Sequence, residues 1–244
     1  MNDVASWNEP DGLYPRGTFV LAVGRGESPA VYERLGLRLS ADAYRVRVVS
    51  DATAAPDAVT TRLKELFADE TDPAPRVLAG SDTGALLALR LAAQRTITPH
   101  ALVLAGLPGD VQAPHFPSWE EELAARTSCP THQRRLTENG GGTLQSAVPP
   151  QWHDAPDISG VTVPVLGLHG SDDVISPRSR IRHQYARLPH SRLVSVEGGK
   201  HDVLNDAGHR SVAAEIVLFL EELRRRGRVT RNVDISVERG IARG

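Results

Sequence analysis

Asp82 is the middle residue of Gly80-Ser81-Asp82-Thr83-Gly84, a small-residue turn between an apolar run, Arg76–Ala79, and a strongly helical one, Ala85–Gln94. An acid in that setting lies at a helix N-terminus, where unpaired backbone N–H groups and the helix dipole stabilise negative charge. The carboxylate is therefore expected to be ionised at neutral pH and needs no base in order to attack an electrophilic carbon. Three more loops carry residue types that do chemistry. Gly24–Ser28 is glycine-rich, Ser171-Asp172-Asp173 has two acids, and Gly198–Asp202 contains His201. Histidine titrates near neutral pH and moves protons in acid–base steps. An anion, an acid and an imidazole suffice for nucleophilic or acid–base work, provided that the fold brings the loops together.

The stretches between the loops are of the right kind to do so. Thr18–Val23, Tyr44–Val49, Arg76–Ala79 and Ala101–Ala105 are runs of strand length, and continuous apolar runs suit parallel strands buried on both faces. Helical patterns alternate with them: Ala30–Leu39, with Val31, Leu35 and Leu39 on one face; Asp57, as a cap, to Ala68; and Gly84–Gln94. A strand and a helix every 25–30 residues imply an α/β fold, a doubly wound, mostly parallel sheet whose ligands bind beyond the carboxyl ends of the strands. The four loops all fall at that edge.

The rhythm breaks after the fourth clear strand. Residues 106–160 contain no strand–helix unit, only a capping box at Ser118-Trp119-Glu120-Glu121 opening a helix to Arg126, and a second short helix over Thr131–Glu138. This stretch is read as a short helical lid carrying Trp119 and Trp152 as substrate-binding side chains, the alternative being a structureless loop. Strands at Val163–Leu168 and Arg192–Val196 follow, with helices from Ser176-Pro177 to Leu188 and from Ser211 to Arg226. The core is thus 13–105 with 161–226, the lid 106–160, and a tail 227–244. In the tail Val229, Val233, Ile235 and Val237 alternate with polar residues. It is either a structureless arginine-rich tail or an added strand, on this sheet's edge or on a second subunit, which would make the chain a homodimer.

Composition removes several classes of function. At 244 residues and 40% hydrophobic, the chain is long enough for one α/β domain with a large core. A net charge of −2 argues against a nucleic-acid partner. No stretch approaches the roughly 18 apolar residues of a membrane span, and the first residues lack the basic start and apolar segment of a signal peptide. Cys129 is the only cysteine, so an intrachain disulfide is excluded and a cytoplasmic location is expected. The nine histidines show no metal-ligand spacing such as HExxH, so no metal is expected. Gly24-x-Gly26 lacks the third glycine of a dinucleotide fingerprint, Pro29 standing there, so no nicotinamide cofactor is expected. A small-molecule substrate without a cofactor remains.

Nucleophile-position residue, acid and histidine, in that order and in these settings, resemble the α/β-hydrolase fold superfamily over roughly residues 13–226. The nearest flavour is the monoacylglycerol lipase and lysophospholipase-like branch. Its oxyanion loop H-G-x-G-E is nearly matched by Val23-Gly24-Arg25-Gly26-Glu27, and its acid loop H-G-x-x-D by His169-Gly170-Ser171-Asp172-Asp173 with Pro177 following. The resemblance implies a catalytic triad of Asp82, Asp173 and His201, with His201 as general base and Asp173 its orienting acid. Asp172 is a rival to Asp173. The backbone N–H groups of Arg25 and Thr83 would form the oxyanion hole. The sequence departs from the pattern at Val23, where the family has His, and at Asp82, where the nucleophile elbow G-x-S-x-G has Ser. Ser81 does not replace it, because Thr83-Gly84-Ala85 registers with the family only if Asp82 occupies the turn.

Attack by an aspartate nucleophile on an epoxide or alkyl halide gives an ordinary ester that His201 can hydrolyse through water. On a carboxylic ester it would give an anhydride, so there Asp82 would orient His201 or a water instead. Relatives with an elbow Asp are the epoxide hydrolases, which use lid tyrosines, and the haloalkane dehalogenases, which place Trp after the Asp. Here all four tyrosines lie outside 106–160, and Thr83 follows Asp82. The expected function is a cofactor-independent hydrolase of a small or medium apolar epoxide, alkyl halide or ester. The alternatives are an isomerase, epimerase, cyclase or lyase using the same pair, and a catalytically inactive ligand binder.

Overall fold

The structure, a computed structural model, describes residues 4–110, 112, 114–140 and 142–225. Seven strands form one sheet: β1 (Val4–Trp7), β2 (Gly17–Ala22), β3 (Tyr44–Val49), β4 (Arg76–Ser81), β5 (Ala101–Ala105), β6 (Val165–Gly170) and β7 (Ser191–Val196). Their order is β1-β3-β2-β4-β5-β6-β7. Every neighbouring pair is parallel except β1 with β3, where Val4 lies opposite Val49. The chain leaves β2 for β3 on one side and returns to β4 on the other. The loops after β2 and β4 therefore open side by side, at the switch point where ligands bind in such sheets.

The continuous apolar runs are explained by helices on both faces. Phe19, Leu21, Val77 and Val103 point into one layer with Leu35 and Leu39 of α1 (Glu33–Ala41) and Ile216 and Leu220 of α7 (His209–Arg224). Val20, Leu78, Leu102 and Leu104 point into the other. There they meet Leu63 of α2 (Pro56–Ala68), Leu89 of α3 (Thr83–Ala93) and Tyr185 of α6 (Arg178–Ala186). The insertion holds α4 (Trp119–Arg126), α5 (Pro130–Asn139) and a 3-10 turn at Pro150–Trp152. The Ser118 hydroxyl accepts the Glu121 N–H at 3.2 Å, as the capping pattern requires.

Several local expectations change. The polar lead-in, where one short edge strand is expected, supplies β1 at Val4–Trp7, ahead of 13–105. Pro56 and not Asp57 opens α2, with Ala55 as its cap. Ser176 caps nothing. Its hydroxyl donates to the Leu107 carbonyl and accepts the Gly109 N–H, both at 2.8 Å, pinning the first turn of the insertion to the acid loop. The tail 227–244, with the strand and dimer expected of it, lies outside the described residues.

Two glycines let β4 pass straight into α3. A Cβ on Gly84 would lie 2.2 Å from the Ala22 carbonyl oxygen, and one on Gly80 would lie 2.2 Å from the backbone of Gly84. Both clashes are with backbone, which cannot yield as a side chain would. Gly84→Ala is expected to destabilise the fold by about 3 kcal/mol, the upper end for overpacking, measured by denaturant unfolding. An unchanged midpoint would show that the turn is looser than described.

Candidate active site

Asp82 joins β4 to α3 with φ +47° and ψ −123°, a left-handed backbone that is strained for a residue with a Cβ by about 1–3 kcal/mol. The turn is held open by hydrogen bonds on both sides. The Asp82 N–H donates to Ala105 O (3.0 Å), and its carbonyl accepts the N–H groups of Ala85 (2.9 Å) and Leu86 (3.2 Å). This geometry lifts the side chain off the end of the sheet. Ser81, inside β4, turns its hydroxyl to Tyr32 instead.

The loops assemble around that side chain. The Arg25 N–H donates to Asp82 Oδ2 at 3.1 Å, and the Thr83 N–H also donates to the carboxylate. The two backbone donors expected to bind a developing oxyanion therefore hold the elbow carboxylate. The Arg25 Nε lies 3.8 Å from the same oxygen. On the other side, His201 Nε2 lies 3.4 Å from Asp82 Oδ1, and its Nδ1 bonds Asp173 Oδ2 at 2.9 Å. The carboxylate that meets Nδ1 of His201 is thus that of Asp173. The rival Asp172 is exposed and accepts the Ser171 hydroxyl at 2.8 Å. Asp173 Oδ1 accepts the N–H groups of Ile175 (2.9 Å) and Ser176 (2.8 Å), while His169 Nε2 lies 3.2 Å from Oδ2. Every side chain of this set is almost wholly buried.

Burial alone would neutralise these groups; their mutual attraction outweighs it. Desolvation pushes the Asp82 pKa up, but the hydrogen bond and charge of His201 and the charge of Arg25 hold it well below the usual carboxylate range. Asp173 is low for the same balance, with His201 and His169 as its main partners. Desolvation lowers the His201 pKa, and the two carboxylates more than reverse it, so the imidazole is held protonated well above its ordinary range. The resting site is a buried carboxylate–imidazolium–carboxylate row.

The loop after β2 is organised by three acids in succession. The Gly24 N–H donates to Glu27 Oε2 (2.8 Å), that of Arg25 to Asp82, and that of Gly26 to Asp51 Oδ2 (2.9 Å). Beside it lies a cleft of about 500 Å³ bordered by Gly26, Ser28, Asp51, Thr53 and Ala147. The insertion contributes two further buried side chains. Arg126 and His132 are buried beneath it and contact Glu27 and Asp202. Nothing in the sequence singles Arg126 out, because its partners are 99 and 76 residues away. The two tryptophans are not brought to the carboxylate. The Trp119 indole N–H donates to Thr137 at 3.2 Å, and Trp152 packs in the apolar layer that contains α3.

No protein-family model and no curated protein matches the sequence. Solved structures do match in fold. The monoacylglycerol lipase of Paleococcus ferrophilus superimposes with a TM-score of 0.69 at 16% identity, covering 90% of this chain and 98% of that one. A soluble variant of the Saccharomyces cerevisiae monoglyceride lipase with a substrate analogue gives 0.70 at 16% identity, over 90% and 91%. The enol-lactonase from Burkholderia xenovorans gives 0.66 at 15% identity, over 90% and 96%. The chain has the α/β-hydrolase fold.

Removing one of the two charges beside His201 tests the electrostatic description. In Asp82→Asn the imidazole keeps only Asp173, so its pKa is expected to fall, measured by nitrogen NMR of labelled histidine against pH. The sign also fixes stability. His201 is raised, so its contribution is complete below pH ~6.5 and is lost as pH climbs through the folded-state value. Asp82 is depressed, so its contribution is present above pH ~3.9 and is lost in strong acid. A His201 that titrates near pH ~6.5 in the wild type would contradict the row.

Proposed function

We propose that the protein is a cofactor-independent hydrolase that opens an epoxide on a small or medium apolar substrate. Asp82 is the covalent nucleophile, and the Asp173–His201 pair is first proton donor and then base. One observation carries this reading: the Asp82 carboxylate has one oxygen held by the Arg25 backbone N–H at 3.1 Å and the other 3.4 Å from His201 Nε2. The solved relatives are named as lipases and a lactonase, which supports hydrolysis as the class of reaction.

Asp82 Oδ1 attacks an epoxide carbon, and the C–O bond breaks toward the ring oxygen. That oxygen takes the proton from His201 Nε2. In this reading the imidazolium is the proton donor that lid tyrosines supply in other epoxide-opening enzymes. Esterification removes the Asp82 charge, so the neutral state of His201 is no longer opposed by a second carboxylate. The imidazole then takes a proton from water, and the hydroxide attacks the ester carbonyl. Arg25 N–H and Thr83 N–H stabilise the tetrahedral oxyanion. Collapse expels the alkoxide, which takes the proton from the Asp82 carboxyl group just formed and leaves as the diol, so Asp82 is again a carboxylate and His201, which kept the proton from water, an imidazolium. Water has been added across the ring with no other reagent.

The competing leaving groups fit less well. A halide requires N–H donors around it, and the Trp119 N–H is engaged with Thr137. A carboxylic ester would force an anhydride. A non-hydrolytic proton shuttle is a second reading, favoured by the resting His201 being an acid.

Oxygen labelling separates the two. In a single turnover in heavy-oxygen water, the label is expected in the peptide containing Asp82 and not in the diol. Label in the first diol formed would rule out the ester, and deuterium exchange into recovered substrate without ring opening would establish the shuttle. Asp82→Asn and His201→Ala are each expected to lower turnover of the epoxide by at least ~100-fold. Full activity in both would sink the assignment.

A further inference from the structure

We infer that Arg126 is a positioning residue: from the insertion, its guanidinium joins the loop that holds Asp82 to the loop that carries His201, so that docking of α4 and assembly of the site are one event. The inference rests on the reading of Asp82 and His201 as the working pair.

Arg126 is 1% exposed and is the largest fully buried side chain among the described residues. Its Nη2 donates to Glu27 Oε1 at 2.8 Å and its Nε to Asp202 Oδ2 at 2.9 Å. Each partner leads directly to the site. Glu27 accepts the Gly24 N–H and the Tyr32 hydroxyl on its other oxygen, and Gly24 precedes Arg25, whose N–H holds Asp82. Asp202 follows His201, donates its N–H to the Arg126 carbonyl at 2.9 Å, and meets His132 Nε2 of α5 at 3.0 Å. Glu122, one turn earlier on α4, lies 3.7 Å from Nη1.

The physics makes this junction all-or-none. Each buried ion forfeits several kcal/mol of hydration, offset only when its partners are in place. With α4 undocked, Glu27 and Asp202 would face each other without their cation: burial and then the Asp202 charge already raise the cost of ionising Glu27, and Arg126 opposes that. A partly docked insertion leaves charges unmatched, so the two loops and the helix are expected to move together. The planar fork of arginine spans both carboxylates, which the point charge of lysine does not. Glu27, His132 and Asp202 are also metal-ligand types, with ligand atoms within 4.8 Å of one another. The guanidinium already bonds both carboxylates of that group, so the cation between them is Arg126.

The test needs no substrate, so it stands apart from the identity of the reaction. In the wild-type chain, amide hydrogen exchange is followed at Gly24, Asp202 and Thr127, whose N–H groups donate to Glu27, Arg126 and Leu123. A single opening predicts protection that agrees within ~3-fold across the three. Values more than ~10-fold apart would overturn the inference. In Arg126→Met, the downfield His201 N–H resonances are expected to shift or broaden, and to return when millimolar guanidinium, but not equimolar sodium chloride, fills the space. Unchanged His201 resonances with only a lowered melting temperature would make Arg126 merely structural and overturn it. Should Arg126→Met fail to fold, Arg126→Lys gives the same readout with charge retained, and the wild-type exchange decides independently. If epoxide turnover is found, Arg126→Met should lower kcat with little change in KM.

Discussion

A carboxylate 3% exposed stays charged only if something holds it so, and here that is one imidazolium shared with a second carboxylate. At 3.4 Å and an effective dielectric of about 20, such a contact is worth roughly 5 kcal/mol. Removing the ions from water takes back several kcal/mol each. The balance closes only because backbone N–H groups of Arg25 and Thr83, and those of Ile175 and Ser176, satisfy the remaining carboxylate oxygens. The rest of the fold can be understood as the means of keeping these donors where they are.

The sheet does this through its switch point. β2 and β4 lie side by side, so the loop carrying Arg25 and the turn carrying Asp82 are neighbours although 57 residues separate them. Gly80 and Gly84 allow the turn, and Gly24 allows the approach of Asp82, whose Cβ would be 3.2 Å from any Cβ placed there. The strained dihedrals at Asp82 are tolerated because β5 and α3 fix the peptide on both sides. From above, the insertion closes the ring: Thr127 and Ser128 bond Asp206, and Arg126 bonds Asp202, on either side of the residues that follow His201.

Much of this was legible because the informative residues are local. Asp82, Asp173 and His201 each follow a run of strand length, and an ordered α/β sheet delivers such loops to one edge. The preference for Asp173 over Asp172 follows from its spacing after Gly170, and in the structure the Asp173 carboxylate bonds His201 and caps the turn that follows, while Asp172 is exposed. Illegible were features whose cause is distant. Arg126 is one arginine among many until its partners meet it, and nothing near His132 in sequence marks it as fully buried against Asp202. The tryptophans, expected to line a substrate site for their size, lie with Trp152 in an apolar layer and Trp119 bonded within the insertion.

The central claim is that Asp82 becomes esterified, and trapping the ester tests it most directly. Asp173→Asn keeps the acceptor for Ile175 and Ser176 but takes the charge that makes His201 an effective base, leaving attack possible and hydrolysis slow. Mixed with a terminal aliphatic epoxide, this variant is expected to gain the mass of one substrate on the peptide containing Asp82, in intact and peptide mass spectrometry, and Asp82→Asn added to it should abolish the gain. Diol formation by the wild-type chain with no adduct in Asp173→Asn at any time would contradict the account.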